Sequence, residues 1–164
     1  MKRFRMVSLL LLLVILASTP AAAFHARYLD IVVDRDGNAT VTFEYNVSWI
    51  EGILAYFGAV RPDRDLEQIF AAATGGEVGT LSKGDGTTTF SVGRFAVVTE
   101  TDQESTYDTN PINLSWGQEG YESSILAPLL EPDFSPDVTV IRFPDAYSRT
   151  FRDQFLIPNI THTF

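Results

Sequence analysis

Between residues 40 and 49 the chain alternates without a fault. Val41, Phe43, Tyr45, Val47 and Trp49 fall on one side, and Thr40, Thr42, Glu44, Asn46 and Ser48 on the other. A period of two with one apolar and one polar row is the pattern of a half-buried strand. Just before it, Leu29, Ile31 and Val33 alternate with Asp30, Val32 and Asp34. Asp34-Arg35-Asp36-Gly37-Asn38 joins the two runs, and Gly37 suits the positive φ of a bulged turn. The pattern predicts a β-hairpin.

The period then changes. Ile50, Ile53, Leu54 and Phe57 stand at helical spacing, weakened by Gly52 and Gly58, each costing about 1 kcal/mol against alanine. The nearly uncharged stripe Trp49, Ile53, Leu54, Tyr56 and Phe57 reads as core; insertion at a membrane interface or in a partner's groove is the other reading. Arg61-Pro62 interrupts this helix. Asp63 then caps a second one, with Leu66, Ile69, Phe70 and Ala73 as its stripe and Gly75-Gly76 as its stop.

Two more strands are predicted near residues 77–82 and 87–99, around Lys83-Gly84-Asp85-Gly86, with a bulge at Gly93. Acids recur at Glu100, Asp102, Glu104 and Asp108, the pattern of an exposed loop or edge strand. Tyr121, Ile125 and Leu126 predict one or two helical turns, and Pro128, Pro132 and Pro136 an extended loop. A last hairpin pairs residues 138–143 with 150–157, turning at Pro144-Asp145-Ala146. The fold expected is α+β: an antiparallel sheet of five or six strands with two central helices packed on one face. The sheet's other face is expected to stay wet. No repeat or linker divides residues 24–164, which read as one extracytoplasmic domain.

The first segment reads as an address. Lys2, Arg3 and Arg5 precede an apolar run from residue 6 to 17, and Ala21-Ala22-Ala23 closes it. That is the layout of a secretory signal peptide over residues 1–23, cut after Ala23. The alternative is an uncleaved N-terminal anchor, since residues 6–23 approach the length needed to span a bilayer. Without this segment the chain holds 9 basic and 21 acidic residues, a net charge of −12.

That balance opposes phosphate backbones and anionic headgroups, so nucleic acid is not an expected partner, and membrane contact is expected only through the N-terminal segment. Cysteine is absent, which excludes disulfides, thiolate metal sites and a cysteine nucleophile. Four of the five asparagines head a sequon: Asn38, Asn46, Asn113 and Asn159. Ser and Thr number 27 of 164 residues, so chance gives about one such match. The excess points to glycosylation of an exported chain.

Catalytic signatures are absent from the sequence. There is no H-E-x-x-H, no G-x-S-x-G and no phosphate-binding glycine loop. His25 and His162 read as solvated residues near the two ends. Asp34-Arg35-Asp36-Gly37-Asn38 resembles part of a calcium loop but lacks the distal glutamate, so Asp34 and Asp36 are weak metal candidates. Glu100, Asp102, Glu104 and Asp108 are others, as a loose polyanionic surface for calcium. No other cofactor is implied.

Three segments stand out together: residues 36–43 (DGNATVTF), Phe134-Ser135-Pro136, and residues 157–162 (IPNITH). With Ser48-Trp49 and Phe143-Pro144-Asp145, they resemble small exported proteins of methanogenic archaea with no assigned function. The likeness spans most of residues 24–164 and rests on turn and strand patterns. It implies an archaeal cell-surface setting and carries over no catalytic or binding residue.

The function expected is that of a non-catalytic, glycosylated surface or envelope protein, secreted or anchored by its N-terminal segment. It would act on an envelope or surface protein or by self-association. An extracytoplasmic binding module for calcium or a small ligand is the alternative, and a small hydrolase the third reading.

Overall fold

The computed structural model describes residues 22–46, 62–115 and 131–164. Most of the leader, the helix expected at 50–57 with its aromatic stripe, and the helical turns near 121–126 lie outside the described residues. Strands β1 (Ala22–Val33) and β2 (Ala39–Asn46) form the hairpin that the alternation predicts. Leu29 stands across from Phe43 and Ile31 across from Val41. The turn is built by its own first residue: one Asp34 oxygen accepts the N–H of Asp36 and of Asn38, each at 2.9 Å. Gly37 takes φ 79°, the left-handed conformation that lacks a steric cost only for glycine.

Helix α1 (Pro62–Thr74) follows the predicted stripe, burying Ile69 and Phe70. It begins at Pro62, which suits a first turn because its missing N–H has no partner there anyway. The Gly75 N–H closes it on the Ala71 carbonyl at 2.8 Å. Beyond α1 the described elements are strands: β3 (Val78–Gly84), β4 (Thr87–Val92), β5 (Ala96–Glu100), β6 (Ser105–Thr109) and β7 (Ile112–Asn113). Then come β8 (Glu131–Asp133), β9 (Val138–Arg142), β10 (Ser148–Phe151), β11 (Leu156–Ile157) and β12 (Thr161–Thr163).

Three sheets result. The largest has seven strands in the order β10-β9-β1-β2-β4-β3, with β8 paired to β1 off that path. A three-stranded sheet runs β12-β6-β5, and β11 pairs with β7. The core between them holds Leu29, Ile31, Val41, Phe43, Phe90, Phe95, Tyr107, Phe134 and Ile141, all essentially inaccessible.

The α+β expectation of two helices on one sheet face is overturned. The described fold is mostly β, with one helix, and its seven-stranded sheet is mixed rather than antiparallel. A separate three-stranded sheet of β5, β6 and β12 also forms, with β6 and β12 coming from stretches whose sequence reads as an exposed acidic loop or edge strand and as chain end. Burial explains the difference: Tyr107 and Thr109 point inward while Glu100, Asp102, Glu104 and Asp108 point out, so an acidic outer row hides a half-buried strand.

Strand direction is the second correction. β1 runs parallel to β9, with Leu29 beside Thr139 and Ile31 beside Ile141, and parallel to β8. At Gly93, instead of a bulge, the chain leaves the large sheet through Arg94 at φ 53° and starts β5 in another. The last hairpin is shorter than expected, because Asp153 at φ 51° ends it and β11 pairs elsewhere.

Gly37 also couples the layers, since the Ala96 N–H donates to its carbonyl at 2.8 Å. A Cβ there would overlap the Ala96 carbonyl oxygen and adopt a strained φ. Gly37→Ala is therefore expected to lower stability by about 2–3 kcal/mol in urea unfolding. Gly84→Ala, whose Cβ meets nothing closer than 3.8 Å, is expected to stay within about 0.5 kcal/mol of the parent.

Candidate functional site

The polar row read from β2 lies on the face of the large sheet opposite its buried row. Thr42 stands across from Thr89, Thr40 from Ser91 and Glu44 from Thr87. The Thr42 and Thr89 hydroxyls approach at 3.5 Å. On the other side of β2, the same face continues into Tyr28 and Asp30 of β1 and Arg142 of β9. The Arg142 guanidinium pairs with the Asp30 carboxylate and donates to the Tyr28 hydroxyl at 3.3 Å. That hydroxyl first of all, with the Asp30 charge adding to it, outweighs the opposing effect of burial and holds Arg142 more firmly protonated than usual. The face therefore offers a row of hydroxyls and one ion pair, a set able to recognise a partner by hydrogen bonding.

Each metal candidate has a definite place. Asp34 is engaged by its own turn, its second oxygen also accepting from the Asn38 amide at 3.4 Å. Asp36 is exposed at the tip of that turn. Glu100, Asp102 and Glu104 surround the β5–β6 turn, where the Thr101 N–H and hydroxyl both donate to the Glu104 carbonyl. Asp108 accepts the Thr161 hydroxyl at 2.5 Å, fastening β6 to β12. Among the described residues no three His, Asp or Glu side chains gather as a metal cage. Tyr107 lies between these two turns, donating to the Arg35 carbonyl at 3.1 Å. Burial first, and then the Glu100 carboxylate, push its phenol above the ordinary value.

Both histidines meet aspartates, and His162 departs from the solvated reading whereas His25 stays 40% exposed. His25 Nδ1 lies 3.5 Å from Asp133 and its Nε2 3.0 Å from Asp137. Ser135 donates to Asp133 at 2.6 Å, so Ser135, Asp133 and His25 stand together in the wrong order for a nucleophile, which must bond the imidazole. His162 Nε2 donates to the Asp145 carboxylate across 2.9 Å, and its side chain is only 15% exposed. Its ring stacks on Tyr147 at 4.0 Å, with Phe143 and Phe164 at 5.0 and 5.6 Å. This contact bridges the β9–β10 turn of the large sheet to β12 of the small one.

Three of the sequon asparagines, Asn38, Asn46 and Asn159, are exposed. Asn113 is half-buried and accepts from the Ser115 N–H and hydroxyl of its own sequon, at 3.0 and 2.7 Å. It also lines an open, mostly apolar groove of about 340 Å³ with Ala72, Ala73, Asn110, Pro111 and Leu156. Of the proposed cleavage motif, Ala22 and Ala23 fall in β1. Sequence reasoning missed the Tyr28–Asp30–Arg142 group and the aspartate partners of both histidines. A charge on a strand's polar row was the available signal for Asp30 and Arg142; nothing local marks who meets whom.

No family model, curated protein or solved structure matches the chain.

For Asp145, burial opposes ionisation, but hydrogen bonds from His162 and the Tyr147 N–H outweigh it and hold the carboxyl below its usual range. A depressed carboxylate stabilises the fold above its unfolded value and loses that contribution as pH falls through the folded value. The melting temperature of the parent is thus expected to exceed that of Asp145→Asn near neutrality, and the gap to close as pH drops from about 5 toward about 2.

Proposed function

We propose that the chain is an exported, glycosylated surface protein that acts through protein contacts made by the hydroxyl-bearing face of its seven-stranded sheet. The observation that carries this reading is the placement of the Tyr28–Asp30–Arg142 group beside the threonine row, near the middle of that face. Hydroxyls and a single salt bridge suit a wet, specific interface, in which polar groups set register. The basic and apolar leader, the sequons and the net acidity support export and an extracellular setting, as does the resemblance to archaeal exported proteins. No helix among the described residues is long and apolar enough to cross a membrane.

A photo-crosslinking side chain at Thr42 or Thr89 is expected to give discrete adducts on the native cell surface, with a second protein or a second copy. The same group at Gln103, exposed in the β5–β6 turn of the three-stranded sheet, is expected to give none. Absence of adducts from both face positions would remove the contact reading.

Intact mass separates the export claims. Protein recovered from the surface or medium is expected to begin at Phe24 and to carry added glycan. A full-length, unglycosylated mass found only in membranes would establish an anchored protein and leave its sequons as ordinary turn and strand residues.

A further inference from the structure

We propose that His25 is a proton-operated latch, fastening β1 to the 133–137 segment as an imidazolium and loosening it when neutral. The argument is one of donors and acceptors. Each ring nitrogen faces a carboxylate, Nδ1 toward Asp133 and Nε2 toward Asp137. Only the imidazolium has two N–H groups, so only it satisfies both; the neutral ring sets a lone pair against one carboxylate. Imidazole is also the side chain that ordinarily changes charge between about pH 5 and pH 8.

The Asp133 carboxylate and the Asp137 backbone are each held in place independently of His25. Asp133 accepts the Ser135 N–H at 2.9 Å and its hydroxyl on one oxygen, leaving the other for the ring. The Asp137 N–H donates to the Ala26 carbonyl at 3.3 Å, so its side chain starts beside β1. Across β2, uncharged Asn46 stands opposite His25, and Arg27 is the nearest cation along β1. No described positive group competes for the two aspartates within salt-bridge distance.

What the latch holds is the weakest pairing of the large sheet. β8 meets β1 at only two register positions, Ala22 with Glu131 and His25 with Asp133, with an irregularity between. The residue after it, Phe134, is fully buried. Release of the latch therefore frees a short strand at the sheet's margin while the buried Phe134 keeps the segment attached.

Amide hydrogen exchange of residues 131–137 tests this, with rates divided by intrinsic rates at about pH 5.5 and about pH 7.5. Protection in the parent is expected to fall about threefold to fivefold at the higher pH, the size of a partly exposed ion pair. In His25→Gln it is expected to be flat. Asp137→Asn, at an exposed position, is expected to abolish the pH dependence as well, because one carboxylate is satisfied by a neutral tautomer; it carries the test should His25→Gln fail to fold. A pH-dependent loss that persists in either variant, or no loss in the parent, overturns the proposal. So would ring nitrogen spectra showing a singly protonated His25 at the lower pH.

Discussion

The apolar row of β1 is the surface on which the other layers depend. Leu29, Ile31 and Val33 are sealed from solvent, and β1 is flanked by β2 on one side and by β8 and β9 on the other. Burying a side chain of this size is worth roughly 1.5–3 kcal/mol. The polar row of the same strand, Tyr28, Asp30 and the partly exposed Val32, forms the outer face with its neighbours. One alternation thus sets both the core and the candidate contact surface. Sliding β1 by a single residue would exchange the two, which is why strands with one buried face hold their register.

Several of the chain's acidic side chains are architectural. Asp34, Asp133 and Asp145 each accept the backbone N–H of the residue two positions on, and Asn113 does the same. Side chains of this length mimic a backbone turn in that way. Two of these carboxylates then turn their second oxygen to a histidine from a distant strand: Asp133 to His25 and Asp145 to His162. The turn fixes the acceptor before the partner arrives, so less freedom is lost when the contact forms. Of the acids weighed for calcium, Asp34 and Asp108 are engaged in the same spirit, one by its turn and the other by the Thr161 hydroxyl.

Local features were legible in the sequence. The β1–β2 hairpin, Gly37 in its turn and the helix ending at Gly75 all follow from periods and turn residues within about fifteen positions. The lost information is of another kind. Parallel and antiparallel neighbours demand the same alternation, so nothing in β1 says that β9 lies beside it in the same direction. The pairing of His162 with Tyr107, which completes the second layer, joins positions far apart in the chain. The polar face was foreseen from residues 40–46, but the Asp30–Arg142 pair at its centre spans 112 positions and has no local trace.

The parallel pairing of β1 with β9 has a kinetic consequence. β2 follows β1 directly and can pair at once, whereas the 138–142 strand must travel back across most of the domain. Contacts of such separation form late, because the loop they close must be ordered first. A chain delivered from its N-terminus therefore carries a finished hairpin with one bare edge on its most apolar strand. Until β9 docks, that edge is a template for pairing with any other extended chain.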